Sequence, residues 1–76
     1  MHIVYVLKNS HTLRCYYGYT TNLERRMAQH NHDGSWELIY YEGYKNERDA
    51  RVREYRLKHS GQAVAALKQR LAGGLR

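Results

Sequence analysis

The sequence predicts an α+β domain: a small three-stranded antiparallel sheet flanked by three helices, in the order β-β-α-β-α-α. Three observations predict it. Two β-favouring runs, Ile3-Val4-Tyr5-Val6-Leu7 and Cys15-Tyr16-Tyr17-Gly18-Tyr19-Thr20, are close enough in the chain to pair as a hairpin. A third, Trp36-Glu37-Leu38-Ile39-Tyr40-Tyr41-Glu42, stands alone between stretches of helical periodicity. The last third repeats apolar residues at helical spacing and is interrupted at Ser60-Gly61.

The first run is continuously β-branched and aromatic, the pattern of a strand buried on both faces. Lys8 to Arg14 is polar turn material, so the hairpin loop is longer than two residues. The second strand runs straight into a helix over 22–30. Thr21, with Glu24 three residues on, reads as a capping box, hydroxyl to a free helix N–H and carboxylate back to the cap. At about 100° per residue, Leu23 and Met27 share a face, Arg26 and His30 flank it, and Arg25 points away.

Asn31-His32-Asp33-Gly34-Ser35 is a loop by composition. The third strand tails off through Gly43 and Tyr44. Asn46, with Asp49 three residues later, caps a second helix over 47–59. A third helix spans 62–71, with Ala63, Val64, Leu67 and Leu71 on its apolar stripe. Gly73-Gly74 is expected to end order, giving one domain over 1–72 and a flexible tail over 73–76.

Seventy-six residues support a single modest core. With no Phe and no Pro, eight Tyr and one Trp must supply the bulky packing, and tyrosine hydroxyls want partners. No apolar run approaches the ~20 residues of a membrane span, and residues 1–8 are too short for a signal peptide. The single Cys15 excludes an internal disulfide and suits a reducing, cytoplasmic setting. Thirteen Lys and Arg against seven Asp and Glu leave a net charge of +6, which points to a polyanionic partner, nucleic acid first.

Helix two holds the oddest residue. Ala50 and Leu57 form its apolar stripe, and Glu54 falls between them, while Arg51, Arg56 and Lys58 project elsewhere. A carboxylate on a core-facing stripe is costly unless something pairs with it. Two readings stand: a buried ion pair with an arginine such as Arg26, or a ligand for a hard metal ion. Tyr5, mid-strand, and Tyr16, across the hairpin, are ordinary packing residues when taken singly. His2, His11, His30, His32, His59 and Cys15 lack the paired close spacing of a zinc site. There is no glycine-rich phosphate loop, and no base stands evidently beside Cys15.

Taken in order, these residues resemble the GIY-YIG endonuclease family, and most of all its small stand-alone bacterial members, related to the N-terminal nuclease domain of excision-repair proteins. Ile3-Val4-Tyr5 stands where the family has Gly-Ile-Tyr, and Tyr16-Tyr17-Gly18 where it has Tyr-Ile-Gly. Leu23-Glu24-Arg25-Arg26-Met27-Ala28-Gln29-His30 resembles the family's arginine helix. Trp36 to Glu42 resembles the third strand of the small members, and Ala50 to Lys58 the helix of the metal-binding glutamate. The first motif lacks its glycine, Tyr17 replaces isoleucine, and the loop between His30 and Trp36 is short, at five residues.

The resemblance implies a metal-dependent endonuclease that hydrolyses phosphodiester bonds, in DNA above all, with low sequence specificity. It implies Tyr5, Tyr16, Arg26, His30 and Glu54 as catalytic residues, with Glu54 also holding Mg²⁺, or Mn²⁺ in its place. Lys8, Arg25, Arg53 and Lys58 are candidate contacts to the nucleic-acid backbone. The expected partners are nucleic acid and no membrane, the chain acting as a monomer or weak dimer, with DNA repair a compatible role. A catalytically inactive nucleic-acid-binding module on the same fold is the alternative.

Overall fold

The computed structural model describes residues 1–31 and 34–74. Its elements are β1 (His2–Asn9), β2 (Cys15–Thr20), α1 (Leu23–His30), β3 (Trp36–Tyr44), α2 (Glu47–His59) and α3 (Gly61–Gly74). The predicted α+β class and element order are both present. The strands form one antiparallel sheet in the order β2-β1-β3. β1, the most apolar run, takes the centre, and Val4, Tyr5, Val6 and Leu7 are each at most 1% exposed.

Successive side chains of a strand point to opposite faces, so the register sorts the sheet into two. Val4 pairs with Tyr19 and Val6 with Tyr17, and that face packs with Ala50 and Leu57 of α2 and Leu67 of α3 to make the core. A bulge between Val6 and Leu7 inserts Ile39 into β3, so Ile39 and Tyr40 both pack against this core although they are neighbours in sequence. Tyr5 and Leu7 point the other way, beside Gly18 and Tyr16 of β2.

Local polar chemistry sets the connections. The Asn9 side chain accepts from the N–H groups of His11 and Thr12 at 2.9 and 3.0 Å, folding the hairpin loop back on itself. Leu13, at φ 62°, is held in the left-handed region there. α1 is capped one residue later than the capping-box pattern suggests. Asn22 accepts from Arg25 N–H at 3.1 Å, and the Asn22 N–H is itself held by Thr20 Oγ1 at 3.0 Å. Asn competes well with Thr for this position, and Thr20 has already fixed the backbone of Asn22. Thr21 is left exposed.

α2 has the predicted bounds and cap, Asn46 accepting from Asp49 N–H at 2.8 Å. α3 runs to Gly74, beyond the predicted end at Leu71, because the helical ladder continues through the glycines. The last two residues of the predicted tail lie outside the described residues, as do His32 and Asp33 of the predicted 31–35 loop. On either side of those two, Asn31 Oδ1 accepts from Trp36 N–H at 3.2 Å, and Ser35 accepts from Ser10 N–H at 2.8 Å. Among the described residues no helix is long and apolar enough to cross a membrane.

The far end of β3 is tied to α2 by one carboxylate. Glu42 accepts from the hydroxyls of Tyr40 and Tyr44 at 2.5 and 2.6 Å and from Arg53 Nε at 2.6 Å. Burial pushes this carboxyl up, but the two hydroxyls and the guanidinium outweigh it and hold it below its ordinary 4.5. A folded-state value below the unfolded one adds stability that is present above pH ~4.5 and is lost as pH falls through the folded value. Glu42→Gln should therefore cost about 2 kcal/mol at pH 7, or ~10 °C in Tm, and thermal melts of the two chains should converge towards pH 3.

Candidate active site

Tyr5 lies directly across the hairpin from Gly18. Its ring crosses the glycine so closely that a Cβ there would overlap the phenol carbon and hydroxyl. The absence of a side chain at 18 is what lets a large aromatic lie flat between the central and edge strands. Tyr16 lies two residues back along β2 on the same face, its ring centre 6.3 Å from that of Tyr5. Tyr16 is 38% exposed, so this hydroxyl-bearing face opens to solvent. It also meets His30 at 5.0 Å and the edge of Trp36 at 6.4 Å, linking β2, the end of α1 and the start of β3.

α1 shows the face its periodicity predicts. Leu23, Arg26, Met27 and His30 are half-buried, while Glu24, Arg25, Ala28 and Gln29 are exposed. Glu54 of α2 keeps its side chain only 15% exposed. Its ion partners differ from the Arg26 suggested by sequence: Lys58 Nζ lies 3.1 Å from one oxygen and Arg51 Nη1 3.8 Å from the other. Both partners are on its own helix, three and four residues away, where side chains meet without tertiary help.

The Tyr5 hydroxyl senses three of the other four sequence-predicted catalytic residues, and His30 meets it only through the Tyr16 ring. Burial pushes this phenol up to about 12, the neighbouring Tyr16 and the charge of Glu54 push the same way, and the Arg26 guanidinium opposes them. Tyr16 of β2, Arg26 of α1 and Glu54 of α2 are thus all close enough to act electrostatically on the Tyr5 phenol of β1. At neutral pH that phenol is protonated and can donate a hydrogen bond.

A hard cation fits this donor set in one way only. Among the described residues no group of three or more His, Cys, Asp or Glu could hold a metal ion. Those residues therefore build no cage made wholly of protein ligands. Mg²⁺, though, keeps several waters and binds through one or two carboxylates plus substrate phosphate. Glu54 is half-enclosed, has one oxygen in a direct pair and the other only distantly contacted, and suits that single-carboxylate mode.

The four basic residues singled out in sequence fare differently. Lys8 and Arg25 are exposed. Lys58 is engaged by Glu54, and Arg53 is drawn into the Glu42 pair with its side chain 24% exposed, which gives it a part in holding β3 to α2. Sequence reasoning passed over Arg51, which turns out to stand beside Glu54 and over the Tyr19 ring, 4.0 Å from its centre. The spacing of Arg51 and Glu54, three apart on a helix, was the available signal. Arg51 also joins Arg25, Arg26 and Gln29 around a cleft of about 280 Å³ at the start of α1.

Residues 1–69 match the model of the GIY-YIG catalytic domain. The chain is similar to the UPF0213 protein CPE1444 of Clostridium perfringens (strain 13 / Type A), 37% identical over 67 residues that cover 76% of this chain and 71% of that protein. No solved structure matches. With the domain match spanning residues 1–69 of the 76, the protein belongs to the GIY-YIG family of nucleases.

Proposed function

We propose that the chain is a metal-dependent endonuclease that hydrolyses phosphodiester bonds in nucleic acid, DNA foremost, with little sequence preference. What supports it most is the pairing of Tyr5 with Tyr16 across the hairpin, with Arg26 and Glu54 both near enough to act electrostatically on the Tyr5 phenol. Glu54 would hold the ion, Mg²⁺ or Mn²⁺. When bound, the ion supplies Lewis-acid polarisation of the scissile phosphate and stabilises charge on the leaving oxygen. Arg26, with its planar fork, would neutralise charge growing on the phosphoryl oxygens. Tyr16, half open to solvent, would orient the attacking water, and His30 would brace the Tyr16 ring and hydrogen-bond a phosphate oxygen. Lys8, Arg25 and Lys58 would meet the backbone.

Tyr5 would take the proton from water. Its phenolate fraction grows tenfold per pH unit below its pKa, so cleavage should rise by about tenfold per unit between pH 6 and 9. Tyr5→Phe should remove that slope along with most of the rate. A slope that survives the substitution would assign the proton transfer elsewhere. The direct test is cleavage of single-stranded DNA, duplex DNA and RNA with Mg²⁺, with Mn²⁺ and with chelator. Cutting that ignores chelator would refute metal dependence, and binding without cutting of any substrate would favour the inactive-module reading.

A further inference from the structure

We infer that the cleft between α1 and α2 is a second phosphate subsite, which holds the backbone phosphate next to the scissile one. The identification of that phosphate rests on the nuclease reading above; the existence of the subsite does not. The cleft is lined by three arginines, Arg25, Arg26 and Arg51, with Thr21, Asn22 and Gln29, and by no Asp or Glu among the described residues. Like charges gathered in one hollow repel until an anion joins them; the guanidinium fork takes phosphate or carboxylate bidentately, and on the nuclease reading the polyanion at hand is a phosphodiester backbone.

Arg51 is prepared for this task. Its guanidinium lies over the Tyr19 ring at 4.0 Å, and the Tyr19 hydroxyl is 2.7 Å from His2 Nδ1, so the platform itself is held. The contacts of Arg51 to Glu47 and Glu54, at 3.9 and 3.8 Å, are longer than hydrogen bonds and leave its donors available. Thr21 and Asn22 open α1, whose dipole adds to the preference for an anion.

The occupant is a backbone phosphate, not a base. The aromatic ring in the lining is Tyr19, and Arg51 already covers it, so a base has no free surface on which to stack. The volume, about 280 Å³, sits at the small end of ligand pockets and suits a phosphate with its sugar. Arg26 lines this cleft and also acts on Tyr5, so the subsite adjoins the reacting phosphate. A contact of this kind positions the strand without reading its sequence.

Two measurements test it. In chelator, where no cleavage occurs, Arg51→Gln and Arg25→Gln should each weaken binding to a short DNA oligonucleotide by about tenfold and lower the slope of log affinity against log salt by about one. Arg48→Gln, which removes an exposed charge outside the cleft, should change neither. With Mg²⁺, oligonucleotides carrying a single neutral methylphosphonate linkage should lose cutting at the linkage itself and at one fixed offset from it. That second suppressed position should vanish in Arg51→Gln while the first remains. The subsite is overturned if Arg48→Gln reduces the salt slope as much as Arg51→Gln, or if suppression occurs only at the linkage itself. If no cleavage occurs, the nuclease reading fails and the salt slopes alone decide the subsite.

Discussion

Glu54→Ala should lower metal-dependent cleavage by roughly 10³-fold or more while leaving the fold in place, the scale lost when a principal electrostatic stabiliser is removed from an active site. The fold survives because the neighbouring stripe residues Ala50 and Leu57, at most 1% exposed, do the packing on either side of it. Binding should move in the opposite direction. Removing the carboxylate frees Lys58, now 3.1 Å away, and takes a negative charge that would repel a polyanion from beside Arg51, 3.8 Å away. Loss of cutting together with equal or tighter DNA binding in chelator is therefore the expected signature, read by gel-based cleavage and fluorescence anisotropy. Cutting at the native rate would remove Glu54 from the chemistry. Lost binding would mean that its role is structural.

Gly18→Ala should be nearly as damaging, by a route that passes through packing. The added methyl has to occupy space filled by the end of the Tyr5 ring, and Tyr5 is 1% exposed in the central strand, so the ring has nowhere to swing without disturbing the sheet. Overpacking of this kind costs about 1–3 kcal/mol, some 5–20 °C in Tm for a domain of this size, and displaces the phenol from the site. Tyr5→Leu in the Gly18→Ala background should restore most of the melting temperature, because the shorter side chain vacates the space. It should restore no cleavage. Recovery of both would show that the Tyr5 hydroxyl is dispensable. Recovery of neither would show that Gly18 is needed for its backbone and not for its lack of a side chain.

These two residues also mark where sequence reasoning reaches and where it stops. Tyr5 and Gly18 belong to separate β-favouring runs, and their pairing follows once the runs form a hairpin. That one ring lies over the other's bare Cα follows only from the register, which the loop sets through the Asn9 side chain. Arg53 shows the same boundary. It reads as one more surface cation beside Glu54, yet it is committed to Glu42 eleven residues earlier in the chain, in a pair that two tyrosine hydroxyls complete.

By itself, then, the sequence determined the order of elements, the burial of the Val4-to-Leu7 run on both faces, the bounds of α2 and the half-buried face of α1 bearing Arg26 and His30. Each follows from the period of apolar residues or from a cap, and both are written within a few turns of chain. Only the tertiary structure decided which cations Glu54 keeps, that Asn22 and not Thr21 caps α1, how far burial lifts the Tyr5 phenol, and that Arg51 closes a cleft with Arg25 and Arg26. The reason is that long charged and hydroxyl side chains have several partners within reach. Which one they take depends on distances and desolvation set by segments far apart in sequence.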